Sequence, residues 1–258
     1  MTIKMIVTDL DGTLLRTDKT ISERTKTALN KCRNAGIKVA YATGRGGSEK
    51  KLVPSHMFDA MITMNGACGM IGDSAFYKRS IPYQTARPIL MACHENGINI
   101  TTQHNSRHYS NFIVSDYLPN IKDFEVVDFS RHELDAEKIY SPNPTPEQRR
   151  FIDRLLPGEI YSVATQDIAG PFLHIGHKEA TKAKAISALA QLWDIAPAEI
   201  VAFGDDLNDI DMLSYVGTGV AMANALDEVK AVCKFTCPGN DSDGVAVWVE
   251  ENILSPLL

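Results

Sequence analysis

Apolar and polar positions recur with the periods of strands and helices near both ends of the chain. Lys4–Thr8 predicts a buried strand, and a helix from about Ser22 is expected to end at Gly36. The same alternation predicts further elements at Ile37–Ala42, Phe58–Met64, Thr181–Trp193, Ile200–Phe203, Asn208–Tyr215 and Gly217–Ala221. Strands that alternate with helices favour an α/β fold with a doubly wound parallel sheet.

The middle of the chain has a different pattern. It predicts a hairpin of Asn99–Gln103 with Tyr109–Ser115, a proline-rich joint at 142–146, a helix over Arg149–Leu156, and strands near Tyr161 and Phe172. This pattern indicates an α+β domain of residues 82–176, inserted into a core formed by residues 1–81 and 177–258.

Composition narrows the classes of protein. Apolar residues make up 44% of the 258 residues, enough for a sizeable core. The formal net charge is −6 and no basic run occurs, so no nucleic-acid partner is expected. The start lacks the apolar segment of a signal peptide, no run suits a membrane span, and the five scattered cysteines fit reduced thiols. We therefore expect a cytoplasmic protein without a membrane partner.

Two carboxylates lie two residues apart where the first predicted strand ends. Asp9 and Asp11 follow the apolar segment and precede Gly12, which can turn the chain away from the sheet. Because strand side chains alternate, residues two apart can face one pocket. Two neighbouring anions are costly unless a cation, a shared proton or a reaction uses them. This segment is therefore the first candidate for chemistry, with a turn capped by Asp residues as the alternative.

Polar residues also follow the second predicted strand. Thr43, Gly44 and Arg45 would lie at the carboxyl edge of the sheet, where ligands of such folds bind. The Thr43 hydroxyl and nearby N–H groups suit phosphate oxygens, and a helix N-cap is the alternative explanation.

Lys182 lies on the apolar face of its predicted helix, one turn before Ile186. A lysine at this position can point over the carboxyl edge of the sheet toward an anion. A side chain that snorkels at the helix end is the alternative.

An acidic segment follows the strand predicted at Ile200–Phe203. Asp205, Asp206 and Asp209 lie within five residues, together with Asn208. Clustered oxygen ligands, one or two of them carboxylates, are what Mg²⁺ requires. The segment therefore predicts a magnesium site, with a structural turn as the alternative.

Together these segments resemble, in order and spacing, the four motifs of the haloacid dehalogenase (HAD) superfamily of phosphohydrolases. Asp9-Leu10-Asp11-Gly12-Thr13 matches the opening motif, and the later motifs match at Thr43, Lys182, Asp205, Asn208 and Asp209. The insertion between the second and third motifs resembles the Cof-type subfamily, and the resemblance extends through 219–225 and 243–245. The third motif has Ala183 where Gly is common, which leaves Lys178 as a second choice for the lysine.

The resemblance implies a role for each matching residue. Asp9 would be the nucleophile that attacks phosphorus, and Asp11 would protonate the leaving oxygen and later activate water. Mg²⁺ would be held by Asp9, the backbone carbonyl of Asp11, and Asp205, with Asp206 as an alternative. The phosphoryl group would be held by Thr43, Gly44, Lys182 and Asn208. Secondary candidates are Arg45, Asn65 and Asp209.

These inferences predict a Mg²⁺-dependent phosphatase of small phosphorylated metabolites such as sugar phosphates or phosphorylated cofactors. Two alternatives stay open: a phosphotransferase or phosphomutase with the same aspartyl-phosphate, and a regulatory protein that binds phosphometabolites without turnover. The inserted domain would be a cap that closes over the core pocket and chooses the leaving group. Its residues His104, Arg107 and His108 are expected at the surface. Neither the substrate nor the oligomeric state follows from the sequence.

Overall fold

Strands and helices alternate along the chain in the computed structural model, which describes residues 2–119, 121–167 and 170–255. The first elements are β1 Met5–Thr8, α1 Glu23–Asn34, β2 Lys38–Ala42, β3 Ala60–Thr63, β4 Cys68–Ile71 and β5 Ser74–Lys78. The middle elements are α2 Tyr83–Glu95, β6 Thr101–His104, β7 Arg107–Ser110, β8 Phe124–Val126, β9 Lys138–Pro142, α3 Pro146–Leu155, β10 Ile160–Asp167 and β11 Gly170–His177. The last elements are α4 Lys182–Leu192, β12 Ile200–Gly204, α5 Ile210–Tyr215, β13 Thr218–Met222, α6 Asp227–Val232, β14 Phe235–Cys237 and α7 Gly244–Val249.

The chain divides into two compact units. The first unit combines Met1–Lys78 with Thr181–Leu258, and the second unit is Arg79–Ala180. The predicted insertion was 82–176, which lies inside the second unit. Among the described residues, no helix has both the length and the apolar character needed to cross a membrane.

An eight-stranded sheet forms the centre of the first unit, in the order β14-β13-β12-β1-β2-β3-β4-β5. Neighbours from β14 to β3 pair in parallel, which confirms the predicted α/β fold, whereas β3, β4 and β5 pair antiparallel. The sequence did not predict the β4–β5 hairpin. Strand β5 lies at the sheet edge with Ser74 and Lys78 exposed, so it lacks the apolar pattern of a buried strand.

Local signals explain the helices that lead to the site. The Ser22 hydroxyl accepts a hydrogen bond from the Thr25 N–H at the start of α1, and Gly36 follows the helix with a φ of +85°. Thr181 is the N-cap of α4, and its hydroxyl accepts from the Lys184 N–H. Both predicted helices are confirmed.

The strand order reverses beside β1. Strand β2 pairs with one edge of β1 and β12 with the other, so Thr8 is paired with both Tyr41 and Phe203. The chain leaves the carboxyl ends of β1 and β12 toward opposite sides, which opens the crevice where ligands of doubly wound sheets bind. The residues that follow these strands therefore meet at one edge.

The second unit contains a six-stranded sheet in the order β10-β11-β9-β6-β7-β8, antiparallel except for the β7–β8 pair. The predicted hairpin is confirmed, with Thr101 paired to Ser110. Helices α2 and α3 contribute Ile89, Leu90 and Ile152 to its apolar core. Helix α2 was not predicted, because Pro88 lies inside it and proline disfavours a helix interior.

His108 is buried in the second unit, so the expectation of a surface position was wrong for this residue. Its Nδ1 lies 3.0 Å from the Tyr140 hydroxyl, and the two rings meet edge to face. Burial lowers the pKa of His108 to about 4, so the ring is neutral at pH 7. Arg107 is exposed as expected and pairs with Glu125, while His104 is partly buried.

Candidate active site

Three carboxylates converge at the crevice of the first unit. Asp9 follows β1, Asp205 follows β12, and Asp209 lies in the turn before α5. One carboxylate oxygen of each lies within 4.8 Å of the other two. We refer to Asp9, Asp205 and Asp209 as the carboxylate cluster. Its members are brought together by the parallel pairing of β1 with β12, although Asp9 and Asp205 are far apart in the chain.

Lys182 neutralises part of this negative charge. Its Nζ donates to Asp9 Oδ1 at 2.7 Å and to Asp209 Oδ1 at 2.6 Å, and its side chain is fully buried. The apolar-face position of the lysine is thereby explained, because the side chain points into the site instead of toward solvent. The lysine that contacts the carboxylate cluster is therefore Lys182. Lys178, the second choice from the sequence, is exposed and belongs to the second unit.

Burial dominates the electrostatics of the cluster. It raises the pKa of Asp9 to about 8, against the opposing effect of Lys182, and it raises the pKa of Asp205 to about 7. Burial opposes the charge of Lys182, but Asp209 and Asp9 outweigh that effect and raise its pKa above the ordinary value. Several carboxyl groups therefore share the charge of one ammonium group.

This donor set fits a hard divalent cation. All three groups of the carboxylate cluster offer oxygen atoms, and hard cations such as Mg²⁺ take carboxylate oxygens, whereas softer metals favour thiolate or imidazole ligands. A cation there would also stabilise the ionised forms of Asp9 and Asp205, whose pKa values are raised.

Asp205, and not Asp206, belongs to the carboxylate cluster. The Thr13 hydroxyl donates to Asp205 Oδ1 at 2.6 Å, while Asp206 is exposed and accepts from the Leu207 N–H. Asp209 supports Asp205 by accepting from its backbone N–H at 3.0 Å. Asp209 was only a secondary candidate, and the structure brings it into the centre of the site.

The turn at Gly12 passes very close to Asp205. Gly12 has a φ of +77°, and a Cβ at this position would lie 2.2 Å from Asp205 Oδ2. Glycine is therefore required both by the left-handed backbone and by the close approach of the carboxylate. The turn carries the chain from Asp11 to Thr13.

The carboxylate of Asp11 pairs with two cations and is not part of the carboxylate cluster among the described residues. Arg45 donates from Nε to Oδ2 at 2.5 Å and from Nη2 to Oδ1 at 2.7 Å, and Lys19 Nζ lies 2.8 Å from Oδ1. Burial raises the pKa of Asp11, but these hydrogen bonds outweigh it and hold the pKa below the ordinary value. Metal binding by its backbone carbonyl stays a prediction.

Sequence reasoning missed Lys19 and Thr13. Lys19 has a φ of +65° in the turn that brings its ammonium group to Asp11, and a lysine in a polar turn carries no signal of such a contact. Thr13 was part of the first motif, and only its contact with Asp205 shows what its hydroxyl does.

Three further candidates, Thr43, Gly44 and Asn65, lie in the loops after β2 and β3, and a fourth, Asn208, follows β12. Thr43 is buried, its hydroxyl accepts from the Arg45 N–H, and its carbonyl accepts from the Asn65 N–H. Asn208 Nδ2 donates to Asn65 Oδ1 at 2.9 Å. A Cβ on Gly44 would lie 2.9 Å from the same Asn65 oxygen. Asn65 thus connects the second and fourth motifs.

The backbone around Asn65 is unusual. Met64, Asn65 and Gly66 all have positive φ values, of 53°, 54° and 97°. A Cβ on Gly66 would lie 2.1 Å from the Thr181 carbonyl oxygen, so this loop packs tightly on the start of α4. Consecutive left-handed residues are costly and occur where the surrounding structure holds them.

Comparisons with known proteins show the family of the chain. A family model described as haloacid dehalogenase-like hydrolase matches residues 6–249. YxeH of Bacillus subtilis (strain 168) is 29% identical, with 98% of this chain and 99% of that protein covered. The 5-amino-6-(5-phospho-D-ribitylamino)uracil phosphatase YcsE of the same organism is 30% identical, with 98% and 96% covered.

A solved structure extends the agreement to the fold. BT1666 from Bacteroides thetaiotaomicron, described among phosphatases of the HAD enzyme superfamily, has a TM-score of 0.83 and 26% identity, with 97% of this chain and 95% of that chain covered. The family model, which matches residues 6–249, spans most of both compact units and every motif position from Asp9 to Asp209. The chain therefore belongs to the haloacid dehalogenase-like hydrolase family and is a phosphatase of the HAD type.

Proposed function

We propose that the protein is a Mg²⁺-dependent phosphatase that hydrolyses small phosphorylated metabolites through a phosphoryl group carried by Asp9. The observation that carries this proposal is the carboxylate cluster around the buried ammonium group of Lys182. A structural turn has no need for three buried or half-buried carboxyl groups in this arrangement, because their mutual repulsion is costly.

Asp9 is the nucleophile in this proposal. Its carboxylate attacks phosphorus, an Asp9–phosphate bond forms, and the ester P–O bond breaks. Asp11 gives a proton to the leaving oxygen, which requires that substrate binding loosens its hydrogen bonds with Arg45 and Lys19, because these bonds hold its pKa below the ordinary value. In the second step, Asp11 takes a proton from water, the water oxygen bonds to phosphorus, and the Asp9 carboxylate is released with inorganic phosphate.

Mg²⁺ would be held by Asp9, Asp205 and the backbone carbonyl of Asp11, where it would supply positive charge to the phosphoryl oxygens. Lys182 offsets the repulsion between the Asp9 carboxylate and a phosphate dianion. Asp209 holds the Lys182 ammonium group in place through its 2.6 Å hydrogen bond.

The phosphoryl oxygens would be bound by the Thr43 hydroxyl, the N–H groups near Gly44, and Asn208. Asn65 supports this role, because its side-chain oxygen accepts from Asn208 and orients that amide. Arg45 and Lys19 keep the Asp11 carboxyl group at the site.

The substrate class follows from the relatives together with the site. YcsE acts on a phosphorylated ribityl compound, and its match covers nearly the whole of both chains. We infer that the substrate is a phosphorylated sugar, sugar alcohol or cofactor precursor. We further infer that the reaction takes place in the cytoplasm and that the inserted residues 82–176 act as the cap that chooses the leaving group.

The test measures phosphate release by the purified full chain. The probe is 4-nitrophenyl phosphate, followed by a panel of phosphorylated sugars, sugar alcohols and cofactor precursors, each with Mg²⁺ or with EDTA. Asp9→Asn removes the nucleophile and keeps the side-chain shape. Asp206→Asn is the matched control, because it changes an adjacent exposed acid outside the carboxylate cluster.

We expect Mg²⁺-dependent turnover that Asp9→Asn abolishes and Asp206→Asn leaves nearly unchanged. Phosphorylation of Asp9 should be detected by mass spectrometry after a rapid quench. Transfer to an added sugar without release of inorganic phosphate would identify a phosphotransferase instead. Tight binding of panel members without any turnover would identify a binding protein and overturn the proposal.

A further inference from the structure

Two asparagines from the last quarter of the chain hold the turn that follows β1. Asn224 Nδ2 donates to the Gly12 carbonyl at 2.8 Å, and Asn240 Nδ2 donates to the Leu15 carbonyl at 3.0 Å. The Asn240 N–H also donates to Asn224 Oδ1 at 3.0 Å, so the two residues are joined. None of these atoms has a part in the proposed reaction.

Two acidic residues extend the same attachment. Arg16 donates to Asp243 Oδ1, with Nη2 at 2.8 Å. Thr17 donates to Asp241 from its backbone N–H at 2.8 Å and from its hydroxyl at 2.7 Å. The loop after β1 is therefore bonded at four positions to a segment that lies more than two hundred residues later in the chain.

The position of the Gly12 peptide matters for the chemistry. Gly12 is bonded directly to Asp11, the proposed acid, and on its other side Thr13 donates to Asp205. A Cβ on Gly12 would lie 2.2 Å from Asp205 Oδ2, so the turn and the carboxylate are in close contact. A small rotation of this peptide would move the Asp11 side chain relative to the carboxylate cluster. Misplacement by about 1 Å can cost a large factor in rate.

We propose that Asn224 is a positioning residue: its amide holds the Gly12 carbonyl and so sets the place from which Asp11 protonates the leaving oxygen. The inference rests on the proposed role of Asp11 and goes beyond it. Asn240 supports this arrangement by orienting the Asn224 side chain. Asn224, which lies within the matching residues 219–225, thereby contributes to the reaction without touching the substrate.

The test exploits the leaving group. An alkyl phosphate such as glycerol 3-phosphate releases an alkoxide that needs a proton, whereas 4-nitrophenyl phosphate releases a phenolate that hardly needs one. Asn224→Asp keeps the shape and the oxygen that accepts from Asn240, but it loses the donor to Gly12. Asn224→Ala is the second variant, because it removes the donor without adding a charge.

The matched control is Asn252→Asp. Asn252 Nδ2 donates to the Trp248 carbonyl at 2.9 Å, so the change breaks the same type of hydrogen bond at a position away from the site. The readouts are kcat/KM for both substrates, the inhibition constant of inorganic phosphate, and the thermal unfolding midpoint. If the wild type hydrolyses another alkyl phosphate of the panel faster than glycerol 3-phosphate, that compound is used as the alkyl substrate.

For both Asn224 variants we expect kcat/KM to fall roughly tenfold with the alkyl phosphate, about the effect of one hydrogen bond. The loss with 4-nitrophenyl phosphate should be less than about threefold, and phosphate inhibition should stay within about twofold. Asn252→Asp should change none of these values. Equal losses with both substrates, or no loss, in a folded variant would overturn the inference.

Asp11→Asn separates the inference from the proposed function. If this variant loses activity mainly with the alkyl phosphate and the Asn224 variants do not, Asp11 keeps its role and only the inference about Asn224 fails. If Asp11→Asn shows no dependence on the leaving group, the proposed role of Asp11 itself fails, and the inference fails with it.

Discussion

Removal of the Lys182 ammonium group tests the electrostatic reasoning most directly. Lys182→Met retains the length of the side chain and removes its charge, so it leaves Asp9 and Asp209 without their shared donor. The site is buried: the side chains of Lys182 and Asp209 have 0% exposure and that of Asp9 has 8%. Water therefore cannot replace the lost partner, and the variant leaves two buried carboxyl groups without the donor that they share.

The structure sets the size of the effect. Each N–O contact of 2.6 to 2.7 Å corresponds to a gross attraction of about 6 kcal/mol at an effective dielectric constant of 20. Desolvation opposes most of this attraction, and loss of one partner from a buried pair typically costs about 3 to 5 kcal/mol. We expect the free energy of unfolding at pH 7 to fall by roughly that amount. We expect kcat/KM to fall about 100- to 1,000-fold, as for the loss of one electrostatic contact to a transition state.

The sign of the pH dependence follows from the same carboxyl groups. The pKa of Asp9 is about 8 in the wild type, and without Lys182 it should rise further above its ordinary value. The variant therefore keeps a proton on Asp9 at alkaline pH where the wild type releases it, so the deficit in unfolding free energy should shrink as the pH falls to about 8 and change little below that. Mg²⁺ should reduce the deficit at neutral pH, because it replaces the missing positive charge.

Urea unfolding from about pH 6 to about pH 10, with Mg²⁺ or EDTA, brackets the Asp9 pKa of about 8 and measures these changes beside the hydrolysis of 4-nitrophenyl phosphate. Lys178→Met is the matched control, because Lys178 is an exposed lysine four residues earlier in the chain. It should retain the stability and activity of the wild type. Full activity of Lys182→Met, or a stability deficit that grows toward acidic pH, would refute the reasoning.

Three further predictions concern other contacts. Thr13→Val removes the 2.6 Å hydrogen bond to Asp205 and should raise the Mg²⁺ concentration for half-maximal activity about tenfold or more, measured by metal titration. Gly12→Ala places a Cβ 2.2 Å from Asp205 Oδ2 and should abolish measurable Mg²⁺ binding by calorimetry, even in protein that still folds. His108→Asn should make the unfolding free energy less sensitive to acid. The pKa of His108 is about 4 in the folded protein and about 6.5 in the unfolded chain. The wild type should therefore lose at most about 3 kcal/mol of unfolding free energy from this group as the pH falls from 6.5 toward 4. Chemical denaturation of the variant and the wild type across this pH range measures the difference.

Each of these predictions can fail separately. An unchanged metal titration in Thr13→Val would show that the hydroxyl does not tune the metal site. Normal metal binding by Gly12→Ala would show that the turn adapts to a side chain. The same acid dependence in His108→Asn and the wild type would exclude the buried imidazole as a source of acid lability.

Much of the first unit could be predicted from periodicity, because buried strands and amphipathic helices show their patterns along the chain. The α/β fold and helices α1 and α4 followed from such patterns and from caps such as Ser22 and Thr181. The edge hairpin β4–β5 and helix α2 did not, because an exposed edge strand lacks an apolar pattern and Pro88 conceals a helix that tertiary packing stabilises.

The sequence by itself determined which residue types follow each strand: Asp9 and Asp11 after the first, Thr43 after the second, and Asp205 after β12. Their order in the motifs was enough to indicate the family. Lys182 could be singled out too, because a lysine on an apolar helix face conflicts with ordinary solvation.

Only the tertiary structure determined which of these residues contact one another. The pairing of β1 with β12 brings Asp9 close to Asp205. The turn before α5 brings Asp209, which was only a secondary candidate from the sequence, into the carboxylate cluster. The contacts of Asp11 with Lys19, and of Gly12 with Asn224, join residues whose partners no local pattern encodes. The physical reason is that periodicity reports burial and direction along one element, whereas contact distances depend on how separate elements pair in space.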